Sequence, residues 1–352
     1  MSDFVQLHLL TVYGPSNLNR DDTGRPKSAI FGGAPRLRVS SQSLKRAWRE
    51  SDIFAARLSQ HLGVRTQRLG KNIHTHLVER GMEAKKALAV SREIAGVFGK
   101  IKEEKGKEGK KDSPTYIEQL AFISPEEQAA ALALADRALA GEKIEAKPSQ
   151  LLQQTDTAAD IAMFGRMLAD NPDFNREAAV QVAHAITTHR AIAEDDYYTA
   201  VDDLKEPGED AGAGFLGVLE FGAGVFYLYV CVDRGLLERN LGGNRAVRDA
   251  ALMALGEAMA TVGPRGKQNS FASRAKASYV LAERGSQAPR SLVAAFLNPV
   301  GGNDHLAGSI DRLTKLRQSQ DKAYGPGADA QEILDVAQDQ GSLELILRFL
   351  VS

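Results

Sequence analysis

The sequence predicts an α+β fold in which one sheet is interrupted by a large helical insertion. Three observations carry this. Apolar runs near residues 5, 225 and 277 read as strands. Helical segments follow the first two, from Ser41 and from about residue 245. Between roughly residues 53 and 183 the apolar period is helical almost throughout. Strand, helix, long interruption, strand, helix, strand is the order of a split βαβ sheet.

The elements follow in turn. Residues 4–13, FVQLHLLTVY, set Val5, Leu7 and Leu9 on one face against a mixed opposite face, as in a first strand. A basic loop leads to SQSLKRAWRE, a helix with an N-cap hydroxyl from Ser40 or Ser41. In the insertion, HTHLVERGMEAKKALAVSREIAGVF and PEEQAAALALADRAL are the clearest helical pieces. The second has a capping box, Ser124 to Glu127, with Pro125 at its first position and Gly141 after its last turn. Lys100 to Asp112, with six lysines against four acids, reads as a solvated connector. Residues 190–223 read as a long hairpin or loop before the strand Val225 to Val232. GNRAVRDAALMALGEAMATV is an amphipathic helix with Val247, Ala251, Leu255, Ala258 and Val262 on one stripe, and AKASYVLAER a further strand. The expected divisions are 1–52, 53–183, 184–223 and 224–352.

A content of 43% hydrophobic and 25% charged residues is that of a globular chain with a sizeable core. The single cysteine, Cys231, lies in the apolar run VFYLYVCVD and reads as a core residue. No basic leader and no membrane-length apolar run is visible, so a cytoplasmic protein with no membrane partner is expected.

Charge is distributed unevenly. Residues 20–49 hold eight Lys/Arg against two acids, +6 in a chain of net charge −1, whereas residues 190–220 hold nine acids against two bases, −7. In the basic window Arg20, Lys27, Lys45, Arg46 and Arg49, with the neutral donors Ser40, Gln42 and Ser43 at a helix start, form a candidate phosphate-binding face. Lys45 and Arg49 are one turn apart. Such contacts position a nucleic-acid backbone without reading its sequence. Asp21 and Asp22 are the one candidate metal-holding pair, giving a metal-dependent ribonuclease as the alternative function. Gly212 to Gly217 spells G-x-G-x-x-G but leads into a strand, against the dinucleotide fingerprint, and Gly263 to Lys267 falls short of a Walker loop. His184 and His189 stand five apart, which on a helix would put them too far around to share a metal, and His74 and His76 fare no better on one. No cofactor and no metal site is expected.

Leu18 to Asp22, Ala29 to Gly33, Arg38 to Ala47, His184 to His189 and Thr199 to Leu204 together resemble one family, the CasC backbone subunits of type I-E CRISPR Cascade. The resemblance covers the first 50 residues and roughly 150–270. It implies a modified RNA-recognition (ferredoxin-like) palm, a fingers insertion and a thumb hairpin, and a non-enzymatic subunit that binds CRISPR RNA. Further copies of itself, head to tail, other Cascade subunits and a target DNA strand paired with the guide would be its partners. It also implies apolar wedge positions at Met167 in the palm and at Tyr198, Thr199, Val201 and Leu216 in the thumb, and RNA contacts at Lys267 and Gln268. In the related type III backbone subunits an aspartate in a loop comparable to that of Asp21 and Asp22 cleaves target RNA. The two charge windows would lie on opposite sides of the molecule and meet between copies.

Overall fold

The structure, a computed structural model, describes residues 3–102, 114–200 and 215–352, with the side chains of Phe215 and Leu216 outside that description. The connector 103–113, Val201 and the acidic stretch to Gly214 lie outside the described residues. The chain forms two units. One contains residues 1–54, 182–232 and 252–352; the other contains 55–181 and 233–251.

The first unit is built on a sheet in the order Ala330–Asp335, Ala277–Gly285, Phe4–Ser16, Phe215–Asp233, Ala185–Thr187, Ala34–Val39, Ser28–Phe31. The strands expected near 5, 225 and 277 are therefore neighbours at its centre. Its core gathers Leu10, Val225, Tyr227, Tyr279, Leu281, Phe296 and Leu313, which drives the collapse of this unit. The first strand departs from its expected alternation, because Gln6 and His8 on its second face are buried too. Each meets a tyrosine hydroxyl. Tyr227 Oη lies 2.9 Å from His8 Nδ1, and Tyr229 Oη donates to Gln6 Oε1 at 2.9 Å.

The second unit is mainly helical around Leu69, Ile73, Leu77, Ile94 and Leu134, with a small two-stranded sheet of Val64–Thr66 and Ala121–Ile123. The long helical run after residue 70 breaks into Leu69–Glu79 and Ala84–Gly96 at Gly81, whose φ of +95° belongs to the left-handed region. The capping box on Pro125–Leu139 forms as expected: Ser124 Oγ accepts from the Glu127 amide at 3.2 Å, and Glu127 Oε2 accepts from the Ser124 amide at 3.0 Å. Residues 233–251, expected with the sheet, belong to this second unit. Asn240 Nδ2 donates to the carbonyls of Ala162 and Glu177 at 3.0 and 2.9 Å, long-range bonds that no local pattern announces.

Candidate nucleic-acid interface

The basic helix is Ser41–Arg49, and Ser40 is its cap. Ser40 Oγ accepts from the Ser43 amide at 3.3 Å, while the Ser40 amide donates to Asn19 Oδ1 at 2.9 Å, tying the helix start to the basic loop. Leu44, Ala47 and Trp48 bury one face, leaving Gln42 and Arg46 exposed and Ser43, Lys45 and Arg49 at the margin. Desolvation at that margin lowers the pKa of the Lys45 ammonium. Arg46 pairs along the helix with Glu50 at 2.8 Å, an exposed contact that contributes little.

The loop before the helix is shaped by Asp21. Its Oδ1 accepts from the Thr23 amide at 2.9 Å, the Thr23 hydroxyl at 2.8 Å and the Arg25 amide at 2.9 Å. The Thr23 hydroxyl above all, then the backbone donors, hold its carboxyl below the usual carboxylate range. Arg20 bridges Pro26, and the Lys27 amide donates to the Asn19 carbonyl at 2.8 Å. Arg38 donates to His184 Nδ1 at 2.8 Å. A guanidinium only donates, so His184 carries its proton on Nε2, and burial together with Arg38 and Lys27 lowers its pKa.

Two expectations about charge need correction. The +6 window is not all surface. Arg36 is fully buried, donating to the carbonyls of Thr187 at 3.0 Å and Phe296 at 2.8 Å, and Arg25 is paired with Glu220. Nor do the described acids of the second window all lie away from the first. Glu220 stands at Arg25, Asp195 adds to the field there, and Asn17 Nδ2 donates to the Glu220 carbonyl at 2.9 Å. Pairing within the chain, invisible to a count of charges, neutralises part of each window.

The loop 265–271 is brought to the basic helix. Arg265 Nη2 donates to the Glu50 carbonyl at 2.6 Å, and a Cβ on Gly266 would stand 2.3 Å from the Leu18 carbonyl oxygen, so only glycine permits this approach. Arg20, Ser43, Arg46 and Arg265 line a cleft of about 470 Å³. Arg265 also lines a second groove of about 980 Å³, with Lys267, Gln268, Ser270, Arg274 and Lys276. Lys267 (φ 47°) and Ala272 (φ 48°) bracket the short helix Gln268–Phe271 in left-handed conformations, each costing about 1 kcal/mol for a residue with a Cβ. Gln268 Nε2 is buried with no acceptor among the described residues. Arg274 and Lys276 went unread in the sequence, where their one signal was a pair of cations two apart just before a strand.

Where a long hairpin or loop is expected, the chain forms an antiparallel ribbon. Glu194–Ala200 pairs with the start of Phe215–Asp233 in the register Glu194 to Phe221 through Ala200 to Phe215. The two-residue period of a strand separates the expected wedge residues. Thr199 and its partner position Leu216 share a face with Tyr197 and Val218, while Tyr198 is on the opposite face, its ring lying over Gly217. Tyr197 (74% exposed) and Val218 (55%) are apolar residues open to solvent, which sequence cannot tell from core residues. Val201 lies outside the described residues. Met167, 77% exposed, belongs to the second unit rather than to the palm.

His184 and His189 flank the strand Ala185–Thr187 instead of riding a helix, and His76 Nε2 lies 2.7 Å from Asp136 Oδ1. Among the described residues no three His, Cys, Asp or Glu side chains gather as a metal site, and no described helix is long and apolar enough to cross a membrane.

The chain belongs to the CT1975-like protein family, Cas_CT1975, whose model matches residues 5–345. It is similar to a chain of a solved structure described as a CRISPR RNA-guided surveillance complex, pre-nicking, at 30% identity, covering 99% of each chain with a TM-score of 0.83. It is also similar to a chain of a CRISPR RNA-guided surveillance complex at 25% identity, covering 99% of each with a TM-score of 0.72. No curated protein matches it.

Proposed function

We propose that this CT1975-like protein is the CRISPR RNA-binding backbone subunit of a Cascade-type surveillance complex, of type I-E. Copies would assemble head to tail along the guide, beside other Cascade subunits, and hold it for pairing with a target DNA strand. The observation that carries the reading is the pair of cation-lined clefts joined at Arg265, one containing Arg20, Ser43 and Arg46, the other Lys267, Arg274 and Lys276. Their donors suit successive phosphates of a single strand and carry no base-specific pattern. Specificity is left to guide pairing, as in other RNA-guided effectors. The sheet order, with the first strand between those starting at Ala277 and Phe215, supports the split βαβ palm. The ribbon from Glu194 supports a thumb that separates bases with its Tyr197, Thr199 and Val218 face.

Binding without cleavage is part of the proposal. Asp21 Oδ1 already accepts three hydrogen bonds from its own turn, which favours a structural role over a metal-holding one. Co-purification from the native host followed by sequencing of bound RNA tests the reading. Uniform repeat-derived guides are expected, and a heterogeneous RNA population would overturn it.

A further inference from the structure

The segment His184 to His189 occupies the point where the ribbon leaves the sheet. The ribbon's second arm is continuous with the buried strand that follows, and Gly222 and Gly224 lie at the changeover, where the absence of side chains leaves the strand easy to bend. His189 bonds the backbone on the approaches to both arms. Its Nδ1 lies 2.8 Å from the carbonyl of the neighbouring Arg190, ahead of the first arm at Glu194, and its Nε2 accepts the Val225 amide, beyond the last paired residue of the second arm, Phe221, at 3.2 Å. An amide only donates and a carbonyl only accepts, so the proton is on Nδ1 and Nε2 presents a lone pair.

The ring is held from two further sides. It stacks on His305, with centroids 4.2 Å apart and planes at 11°, and His305 is the first residue of the helix His305–Tyr324. Ser309 of that helix donates its hydroxyl to Thr188 Oγ1 at 2.8 Å. A Cβ on Gly224 would stand 2.7 Å from His189 Nε2, so glycine there makes room for the imidazole. Burial lowers the His189 pKa, with a backbone bond to Arg190 opposing and the nearby His305 and Arg36 adding to the effect.

We propose that His189 is the positioning residue of the ribbon: by holding the Val225 amide it fixes the angle at which the Tyr197, Thr199 and Val218 face leaves the sheet. That angle decides where the face meets the bases of a bound RNA. The inference rests on the functional reading above.

The test assembles the full chain on synthetic guide RNAs carrying 2-aminopurine at single positions, whose fluorescence rises when the base is unstacked. The wild-type chain should give a contrast between displaced and stacked positions. His189→Phe keeps a stacking ring but offers no acceptor, and should reduce that contrast by about fivefold, the effect of one hydrogen bond, without changing the salt dependence of binding. His189→Gln places an amide oxygen near the Nε2 position and should restore it.

The pH profile separates positioning from plain structural support. The wild-type contrast should hold from about pH 7.5 down to the ordinary histidine value of about 6.5 and fall only below it, as a proton on Nε2 displaces the Val225 amide. The Gln variant should lack that fall even though His305 remains. Contrast retained in His189→Phe would overturn the positioning role alone, as would the same acid fall in His189→Gln. RNA bound by the wild-type chain with no position-dependent contrast would overturn the thumb reading and this inference with it.

Discussion

The basic helix and the ribbon present their residues from opposite kinds of support. The helix Ser41–Arg49 rests on a wholly buried Trp48 and on Leu44 and Ala47, so its cations project from a fixed surface. The strand Glu194–Ala200 is exposed at every residue and is held by its pairing partner and by bonds near its root. Charge on a rigid face supplies affinity that does not depend on sequence. Under the proposed function the exposed ribbon would add little affinity by itself and would contribute geometry by entering a stacked strand.

The largest effect should come from the buried cation beneath the rigid side. Arg36→Met leaves the carbonyls of Thr187 and Phe296 without donors and should cost about 3 kcal/mol, read as a lower urea midpoint. Arg46→Ala, on the exposed side of the same window, should cost less than about 0.5 kcal/mol. Equal losses in the two variants would show that the burial contrast does not govern this region.

Lys45→Ala with Arg49→Ala should weaken RNA binding by at least about tenfold for every guide sequence alike and reduce the log–log salt slope by about 1.4, two single-strand phosphates' worth. Filter binding across a salt series measures both. Arg274→Ala with Lys276→Ala should act in the same direction with a similar slope change, because both line the adjoining groove. A loss confined to particular guides would contradict a purely positioning face.

On the ribbon, Tyr197→Ala with Val218→Ala should lower affinity by no more than about tenfold and leave the salt slope unchanged, since stacking releases no counterions. A changed slope would place phosphates on the ribbon and erase the distinction drawn above.

The smallest effect is expected at Asp21 and Asp22. Complementary RNA with Mg²⁺ or Mn²⁺ should remain intact on the wild-type chain, and metal-dependent cutting abolished by Asp21→Asn or Asp22→Asn would establish the ribonuclease reading instead. Because the Asp21 carboxyl is held below its ordinary value, its stabilisation of the turn is present above that value and fades only as pH falls through the lowered one. An NMR titration of the Thr23 and Arg25 amides would follow this.

The central strands, the basic helix and the Ser124 capping box were legible because each is written in local signals: apolar period, a hydroxyl before a helix, a proline at its first turn. The break at Gly81 was less so, since a glycine inside a helical pattern is as often tolerated as it is a stop. Arg274 and Lys276 could not be joined to Arg46 by any reading along the chain. Their common setting depends on Gly266 meeting Leu18 and on Arg265 reaching Glu50, contacts across more than two hundred residues.

By itself the sequence determined the three central strands, the basic helix, the existence of a basic window and an acidic one, and the residue types able to meet phosphates. Only the tertiary structure decided which charges face solvent. It buried Arg36, paired Arg25 with Glu220, and turned Tyr197 and Tyr198 to opposite faces of a ribbon. The reason is physical: charge and period are properties of neighbours along the chain, whereas burial and pairing depend on which distant segments collapse together around a shared core.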